Sequence, residues 1–365
     1  MNSIKNRTYG QESSWQRVAA PEVDRFVRSA LQAGGADDAS ADAVARALVG
    51  ASLRGVDSHG LRLLPHYLKV LRGGRINGRP ELVFKPLSNT TGTLDADNGF
   101  GHLAGYRAIE EGISLAEKNG MGAVSVVNSS HFGAAGSFTL AAAEAGYLAV
   151  AFSNSDKLVL AHDSVAPFHG TNPISFAAPL QGQQPYLIDM ATSSIPYNRV
   201  LHYQTIQREL PSDVAVDSGG HMTTDPFAAA ALLPLGGLGY GYKGAALAGL
   251  CEVLCAALTG MAFSHQLLAI NGPDLSTRRR LGHFFLVMKP EAFIERSLYE
   301  TQMTAYLQDL RTQNAVAGSE VMAPGDREWR VQEEREAQGI PVDPVLLQVL
   351  ADQAEALNVL GLTAC

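Results

Sequence analysis

The run Gly55-Val56-Asp57-Ser58-His59-Gly60 places an imidazole between a hydroxyl and a glycine, at the end of a long apolar segment. The unperturbed pKa of imidazole is about 6.5, so His59 can donate or accept a proton near neutral pH without a large change in its environment. A core histidine whose hydrogen bonds are satisfied would fit the same residues. Proton exchange and structural support therefore both stay open on this run alone.

The string Gly239-Tyr240-Gly241-Tyr242-Lys243-Gly244 matches the G-x-G-x-x-G pattern of Rossmann folds literally. That pattern needs a preceding strand and an acidic residue about 20 residues later. Here Leu232–Gly237 precedes the string, and no acid lies near Ser264. We therefore predict a binding site for a phosphate or a carboxylate outside a Rossmann fold, formed by backbone amides and Lys243. The alternative is a tight turn without a ligand.

A second glycine-containing run, Asn128–Gly136, follows the predicted strand Ala123–Val127 directly. A strand, a glycine-containing turn and a helix N-terminus make an anion-binding corner, since the first backbone amides of a helix are free. His131 could hydrogen-bond a cofactor phosphate or ribose there. A buried structural histidine is the alternative.

Two further runs, Gly170–Pro173 and Ile188–Ser193, lie at predicted strand ends, where loops often carry ligands. Asp189 can hold a ribose there or simply cap the strand end. Arg199 lies just beyond, and a guanidinium matches a carboxylate bidentately. Arg199 is therefore a candidate substrate clamp, with an ordinary surface arginine as the alternative.

The surrounding pattern predicts helices at the N-terminus and a mixed α/β core after them. Apolar spacing predicts two helices between Ala20 and Arg54 and a third over Leu61–Leu71, with a domain boundary at Asn77–Pro80. The last helix, Pro341–Leu357, is expected to pack on the N-terminal helices. Predicted strands are Leu82–Phe84, Thr91–Leu94, Ala123–Val127, Leu148–Phe152, Ile174–Ala177, Tyr186–Ile188 and His283–Met288, and the predicted helices among and after them are Gly101–Lys118, Gly136–Ala145 and Pro290–Asn314.

Composition excludes several classes of partner. The 365 residues carry a formal net charge of −8, and the longest basic run is Arg278-Arg279-Arg280, so no nucleic-acid partner is expected. Three cysteines, Cys251, Cys255 and Cys365, form neither a disulfide framework nor a metal-type spacing, so no metal is expected.

Two segments bear on location. The polar stretch Met1–Arg17 lacks a secretory h-region, which predicts a cytoplasmic protein. Gly244–Phe263 is apolar except for Glu252 and a few small polar residues, and a carboxylate in mid-span is costly. We predict a buried core helix there and no membrane association.

Several of these runs, in order along almost the whole chain, resemble the malate/L-lactate dehydrogenase family that lacks a Rossmann fold. That family includes ureidoglycolate, sulfolactate and diketogulonate oxidoreductases and the piperideine-carboxylate reductases. The matching blocks are Gly55–Gly60, Leu94–Gly101, Asn128–Gly136, Gly170–Pro173, Asp189–Ser193, Thr223–Pro226, Gly241–Gly244 and Pro324-Gly325.

The resemblance implies an α/β (α+β) homodimer that binds NAD or NADP, with NAD preferred. Each subunit would have a helical domain made from both chain ends, residues 1–80 and 325–365. Residues 81–324 would form a non-Rossmann cofactor domain around a largely antiparallel sheet.

The resemblance also implies roles for single residues. His59 would be the proton donor and acceptor, with Ser58 orienting it. Thr171, Tyr197 and Asn198 would touch the substrate. Independently of the resemblance, reduction of a 2-oxo acid needs a cation for the carboxylate, and Arg199 or Arg62 would supply it. The cofactor contacts would be His131, Phe132, Gly133, Ala134, Ala135, Ile188, Asp189, Met190, Tyr242, Lys243, Pro324, Gly325 and Arg327.

Two departures from the family pattern affect the expected substrate. Many members carry arginine four residues after the histidine, where this chain has Leu63, and Arg62 is rotated from that position by about 100° on a helix. The imine reductases carry an aspartate at the position of Arg199, and a cation there would repel an iminium substrate. We therefore expect interconversion of a small, malate- or lactate-like 2-hydroxy acid and its 2-oxo acid.

Two alternatives stay open. The first is an NADPH-dependent reductase of cyclic ketimines such as piperideine- or pyrroline-2-carboxylate. The second is a cofactor-binding protein without turnover, against which His59 argues.

Overall fold

The computed structural model describes residues 15–363. Cys365 and most of the stretch Met1–Arg17 lie outside the described residues. The α-helices are α1 (Ala20–Ala33), α2 (Asp38–Leu53), α3 (Leu64–Arg72), α4 (Gly101–Asn119), α5 (Gly136–Glu144), α6 (Tyr197–Thr205), α7 (Gly237–Glu252), α8 (Arg296–Arg311), α9 (Asp326–Gln338) and α10 (Pro344–Leu357).

The strands form three sheets within the described part of the chain. They are β1 (Gln16–Val18), β2 (Val83–Pro86), β3 (Thr91–Asp95), β4 (Met121–Ser129), β5 (Leu148–Ser153), β6 (Val159–Leu160), β7 (Pro167–His169), β8 (Ile174–Ala178), β9 (Tyr186–Met190), β10 (Ala215–Val216), β11 (Ala231–Leu232), β12 (Leu281–Met288) and β13 (Ile340–Val342). Helices and sheets together confirm the predicted mixed α/β class.

The largest sheet has seven strands in the order β2-β3-β4-β12-β5-β8-β9. Only its β3–β4 pair is parallel; the other neighbours run antiparallel. Helices α4 and α5 pack on one face, where Phe138 meets Phe285 of β12 edge to face at 5.8 Å. This packed face supports the turn that joins β4 to α5.

The two ends of the described chain share one hydrophobic core. Buried side chains of α1, α2 and α3, among them Phe26 and Tyr67, pack with Leu350 of α10. The last helix begins at Pro344 rather than Pro341, because Pro341 lies in β13 and the side chain of Asp343 caps α10 by accepting from the Leu346 amide. Contacts with α1 and α3 hold α10 in place.

The apolar segment Gly244–Phe263 lies in α7 and in the π-helical turn Val253–Ala257 that continues it. Within residues 15–363, no helix has both the length and the apolar character needed to cross a membrane. The expectation of a fully buried helix is wrong for one face: Leu250, Val253 and Leu258 are 43%, 57% and 61% exposed. Helical spacing puts these apolar side chains on one side of the segment, while Cys251 and Cys255 face the core.

Candidate active site

A cavity lies beside the ends of β4, β5 and β9, and the short turn that carries His59 borders it. A concave opening lined by apolar groups and a few polar side chains is the usual form of a small-molecule site. The predicted site residues that line it are Ser58, His59, His131, Phe132, Gly133, Ala134, Ala135, Thr171, Asp189, Met190, Tyr197 and Asn198. The fold thus brings together segments that are more than 100 residues apart in the chain.

His59 ends a short 3-10 turn, Asp57–His59, that follows α2. The Ser58 hydroxyl lies 2.9 Å from His59 Nδ1, and the side-chain amide of Asn198 donates to the Ser58 carbonyl at 2.8 Å. Nε2 of His59 has no hydrogen-bond partner within residues 15–363. The ring is therefore held from one side and keeps its other nitrogen for a ligand.

His131 lies in the same cavity, stacked on His59 with ring centroids 5.9 Å apart. The Tyr67 hydroxyl is 2.7 Å from His131 Nδ1, which fixes the orientation of the second ring. Gly133 makes the tight turn after it with φ of 75°, and a Cβ at this glycine would lie 2.8 Å from Nε2 of His102. Only glycine fits this turn without displacing the histidine beneath it.

Burial makes the imidazoles of this region poor bases. It lowers the pKa of His59 to about 4 and that of His131 well below its usual value, and the neighbouring histidines and Arg279 lower the latter further. Burial also raises the pKa of Tyr67 well above 10. Both cavity histidines are therefore neutral at pH 7 in the free protein.

The buried histidines predict acid instability. Burial lowers the pKa of His283 to about 3, and Ser153 and Ser129 hydrogen-bond its two ring nitrogens, each at 2.8 Å. A folded-state pKa below the unfolded value of 6.5 means that the unfolded chain binds more protons below pH 6.5. One such histidine costs about 3 kcal/mol of unfolding free energy between pH 6.5 and pH 4.

His283→Gln tests this prediction, because glutamine can pair with both serines and takes up no proton. Thermal unfolding of the variant should depend less steeply on pH between 6.5 and 4 than that of the wild type. Parallel curves for the two proteins would show that His283 does not contribute to the acid instability.

The side chain of Asp189 reaches the N-terminus of α5, where the sequence analysis predicted an anion-binding site. Its Oδ2 accepts the Gly136 amide at 2.9 Å, so a carboxylate of the protein already occupies this helix terminus. Burial raises the pKa of Asp189 to about 6, and the Gly136 amide and Arg54 oppose that rise. The other carboxylate oxygen of Asp189 can accept a hydrogen bond from a hydroxyl, whereas its negative charge repels a phosphate.

The sequence reasoning missed Arg279, which lines the cavity and is only 6% exposed. Its Nη2 lies 2.5 Å from Asp156 Oδ1, and its Nε donates to the Leu268 carbonyl at 2.9 Å. Nη1 has no partner within residues 15–363, so both N–H groups of this atom remain available on a rigidly held guanidinium. Its position just before β12 was the available signal, because strand ends carry ligands.

One wall of the cavity is held by a buried carboxylate. Glu252 of α7 accepts the Asn172 side-chain amide at 2.8 Å and the Ser264 backbone amide at 3.1 Å. The Oδ1 atom of Asn172 accepts the Ser155 amide at 3.1 Å, and the Ser155 hydroxyl accepts the Thr171 amide at 3.0 Å. This chain of hydrogen bonds fixes Thr171 where it borders the cavity.

Other predicted site residues do not border the cavity. Arg62 instead forms an ion pair with Asp343 at 2.5 Å, in a smaller hollow on the other side of the His59 turn. The chain around Pro324 approaches β9, as the Leu187 amide donates to the Pro324 carbonyl at 3.3 Å. The predicted residues outside the lining are Arg62, Ile188, Arg199, Tyr242, Lys243, Pro324, Gly325 and Arg327.

The G-x-G-x-x-G string lies inside α7 and not before it. The helix begins after Gly236, which has φ of 101°, and a kink at Tyr240 interrupts its first turns. The Gly244 amide donates to the Leu235 carbonyl at 3.1 Å and is therefore not free for an anion. Lys243 lies over the rings of Tyr240 and Tyr242. No group of His, Cys, Asp and Glu side chains in the described structure is arranged to hold a metal ion.

Known proteins resemble this chain over almost its full length. The sequence model described as malate/L-lactate dehydrogenase matches residues 18–351. A malate dehydrogenase of Pyrococcus abyssi is 32% identical over 96% of this chain and 98% of its own. A ureidoglycolate dehydrogenase (NAD(+)) of Escherichia coli is 30% identical over 93% of this chain and 96% of its own.

Solved structures share the whole fold. A malate dehydrogenase of Entamoeba histolytica superposes with a TM-score of 0.90 at 28% identity, covering 95% of this chain and 99% of its own. A delta1-piperideine-2-carboxylate reductase of Pseudomonas syringae superposes with a TM-score of 0.82 at 30% identity, covering 93% and 100%.

Fold, cavity and matches together define an oxidoreductase of the dehydrogenase class. More narrowly, the chain belongs to the malate/L-lactate dehydrogenase family.

Proposed function

We propose that this protein is an NAD(P)-dependent oxidoreductase that interconverts a small 2-hydroxy acid and its 2-oxo acid. The observation that carries the proposal is one cavity lined by both His59, with a free Nε2, and Arg279, a buried guanidinium with a free Nη1. A 2-oxo acid presents the complementary pair of groups, a carbonyl that takes a proton and an adjacent carboxylate.

In this mechanism the chain binds the acid and moves one proton. The nicotinamide, when bound, supplies or accepts the hydride at the substrate C2. His59 Nε2 gives its proton to the carbonyl oxygen during reduction and takes it back during oxidation, while Ser58 holds the ring at Nδ1. Arg279 binds the carboxylate, and Asp156 keeps the guanidinium in one orientation. Thr171, Tyr197 and Asn198 close the cavity around the acid.

Bound carboxylate also supports the protonation of His59. Burial lowers the pKa of His59 to about 4 in the free protein, which leaves the ring neutral and able to accept a proton. A substrate anion next to the ring favours the imidazolium and raises this pKa. His59 thus becomes a competent acid when the 2-oxo acid is present.

The cofactor fits along Gly133–Ala135 and the end of β9. Asp189 is exposed at the end of β9, keeps one carboxylate oxygen for a ligand and borders the cavity. A carboxylate accepts ribose hydroxyls and repels a 2′-phosphate, which favours NAD over NADP. We propose the Pro324–Arg327 turn and Tyr242-Lys243 as outer contacts, in line with the family resemblance.

A screen tests the proposal. Malate, lactate, sulfolactate and ureidoglycolate are offered with NAD and with NADP, and the corresponding oxo acids with NADH and NADPH, while the absorbance of the reduced nicotinamide is followed. We expect turnover of at least one acid and a larger kcat/KM with NAD. Absence of turnover with every acid and both cofactors would refute the function.

Cyclic ketimine reduction is the second candidate, favoured by the likeness to the piperideine-carboxylate reductase structure. The same screen includes piperideine-2-carboxylate and pyrroline-2-carboxylate with NADPH. Arg199 replaces the aspartate expected of such reductases, and we therefore expect the oxo acids to be preferred. A larger kcat/KM for an imine would reverse the order of the two candidates.

We also propose a homodimer whose subunits each combine a helical domain, from residues 1–80 and 325–365, with a cofactor domain, residues 81–324. The shared core of the chain ends supports the domain division. The apolar side chains of Leu250, Val253 and Leu258 are exposed on one side of α7 and its continuation. A second copy of the chain packed against them would remove this apolar surface from water, which supports the dimer. Light scattering should give twice the chain mass of 38.7 kDa, and a monomer mass would contradict the dimer.

A further inference from the structure

Arg335 of α9 reaches the turn that carries His59. Its Nη1 lies 2.6 Å from Asp57 Oδ1 and its Nη2 3.0 Å from Asp57 Oδ2, which is a bidentate ion pair. Nη1 also donates to the carbonyl of Ser52, near the end of α2, at 2.5 Å. Arg335 is 5% exposed, and burial strengthens such charge-assisted bonds.

Asp57 stands only two residues before His59 in the same 3-10 turn. Two adjacent features restrict the turn further: Gly55 has φ of 74°, and a Cβ there would lie 2.9 Å from Val331 of α9. The helix therefore contacts the turn through both a close backbone approach and a bidentate ion pair. Neither Arg335 nor Asp57 borders the cavity.

We infer that Arg335 is a positioning residue for the reaction, which holds the Asp57–His59 turn so that His59 Nε2 meets the substrate. The inference rests on the proposed function. Displacement of a reacting group by about 1 Å can cost 100-fold in rate, so a distant anchor of this kind can control kcat without touching substrate. The same helix begins at the Pro324–Arg327 turn, so α9 connects the proposed outer cofactor contact to the catalytic histidine.

Arg335→Lys tests the inference, because lysine keeps the charge but cannot form the bidentate pair. We expect kcat to fall about tenfold, while KM and the Kd for NADH stay within twofold. The matched control is Glu334→Gln, which breaks the exposed pair between Arg17 and Glu334 on the same helix and should leave kcat unchanged.

A double variant separates positioning from general destabilisation. In a His59→Ala background, Arg335→Lys should cause no further loss of the residual kcat, because its effect passes through His59. An equal tenfold loss in both backgrounds would overturn the inference, as would an unchanged kcat in the single variant.

A measurement that needs no enzymatic turnover tests the role of Arg335 independently of the proposed function. The rate at which diethylpyrocarbonate modifies His59, measured by peptide mass analysis, should rise at least fivefold in Arg335→Lys and stay at the wild-type value in Glu334→Gln. Equal rates in all three proteins would overturn the positioning role. A wild-type protein that turns over no acid would refute the proposed function, and the modification rates would still decide the role of Arg335.

Discussion

Replacing His59 with alanine is expected to lower kcat for the 2-oxo acid about 1000-fold and to leave the Kd for NADH within threefold. General acid and base catalysis by a positioned side chain contributes about 100- to 10,000-fold. His59 lines the cavity with Nε2 free, while Ser58 holds Nδ1 at 2.9 Å. Initial rates of NADH oxidation at saturating substrate measure the loss, and fluorescence of bound NADH measures the affinity.

His131→Ala is the matched control, because its ring stacks on His59 in the same cavity. Tyr67 occupies Nδ1 of His131, and we assign this ring to binding. Its removal should therefore raise KM more than it lowers kcat. A larger loss of kcat in His131→Ala than in His59→Ala would transfer the proton-donor role to His131.

The pH dependence of kcat/KM gives a second measure of His59. Burial lowers its pKa to about 4 in the free protein. Oxidation requires the neutral ring, so kcat/KM for the hydroxy acid should be constant above about pH 5 and fall toward pH 4. Reduction requires the protonated ring, so kcat/KM for the oxo acid should fall as pH rises from 5 to 8. Loss of both dependences in His59→Ala would assign them to this residue, and their persistence would exclude it.

Replacing Arg279 with lysine is expected to raise KM for the 2-oxo acid about 100-fold, equivalent to about 2.7 kcal/mol of binding free energy. Lysine retains a charge beside Asp156 but loses the planar fork that binds a carboxylate. Steady-state kinetics over a wide range of acid concentrations measures the change. The Kd for NADH and the melting temperature show whether the fold survives the substitution.

Arg199→Ala and Arg62→Ala are the comparison variants, because the sequence proposed these two residues as the carboxylate anchor. Neither borders the cavity, and Arg62 forms an ion pair with Asp343. We expect each to change KM no more than threefold. A larger rise in KM for Arg199→Ala than for Arg279→Lys would return the anchor to Arg199.

Local patterns in the sequence were sufficient for the seven strands of the main sheet and for most of the helices, and they proposed His59 as the proton donor. They did not predict the short strands β1, β6, β7, β10, β11 and β13 or the helices α6 and α9. Apolar spacing of 3.6 residues located α1 and α2, and alternating apolar runs located β4, β5 and β12. The absence of an acid after the G-x-G-x-x-G string argued against a Rossmann unit, and the main sheet is antiparallel except for its β3–β4 pair. These features depend on neighbours along the chain, which a sequence displays directly.

Only the tertiary structure decided which cation faces the cavity and which carboxylate occupies the helix terminus. Arg279 and Asp156 are 123 residues apart, and Asp189 reaches the Gly136 amide across 53 residues. In the same way, Arg335 reaches Asp57 across 278 residues, so no local pattern around His59 could reveal its anchor. The sequence by itself predicted most of the elements and proposed His59 as the proton donor. Contacts between distant segments, set by packing of helices on the sheet and of the chain ends on each other, determined the charges around that residue.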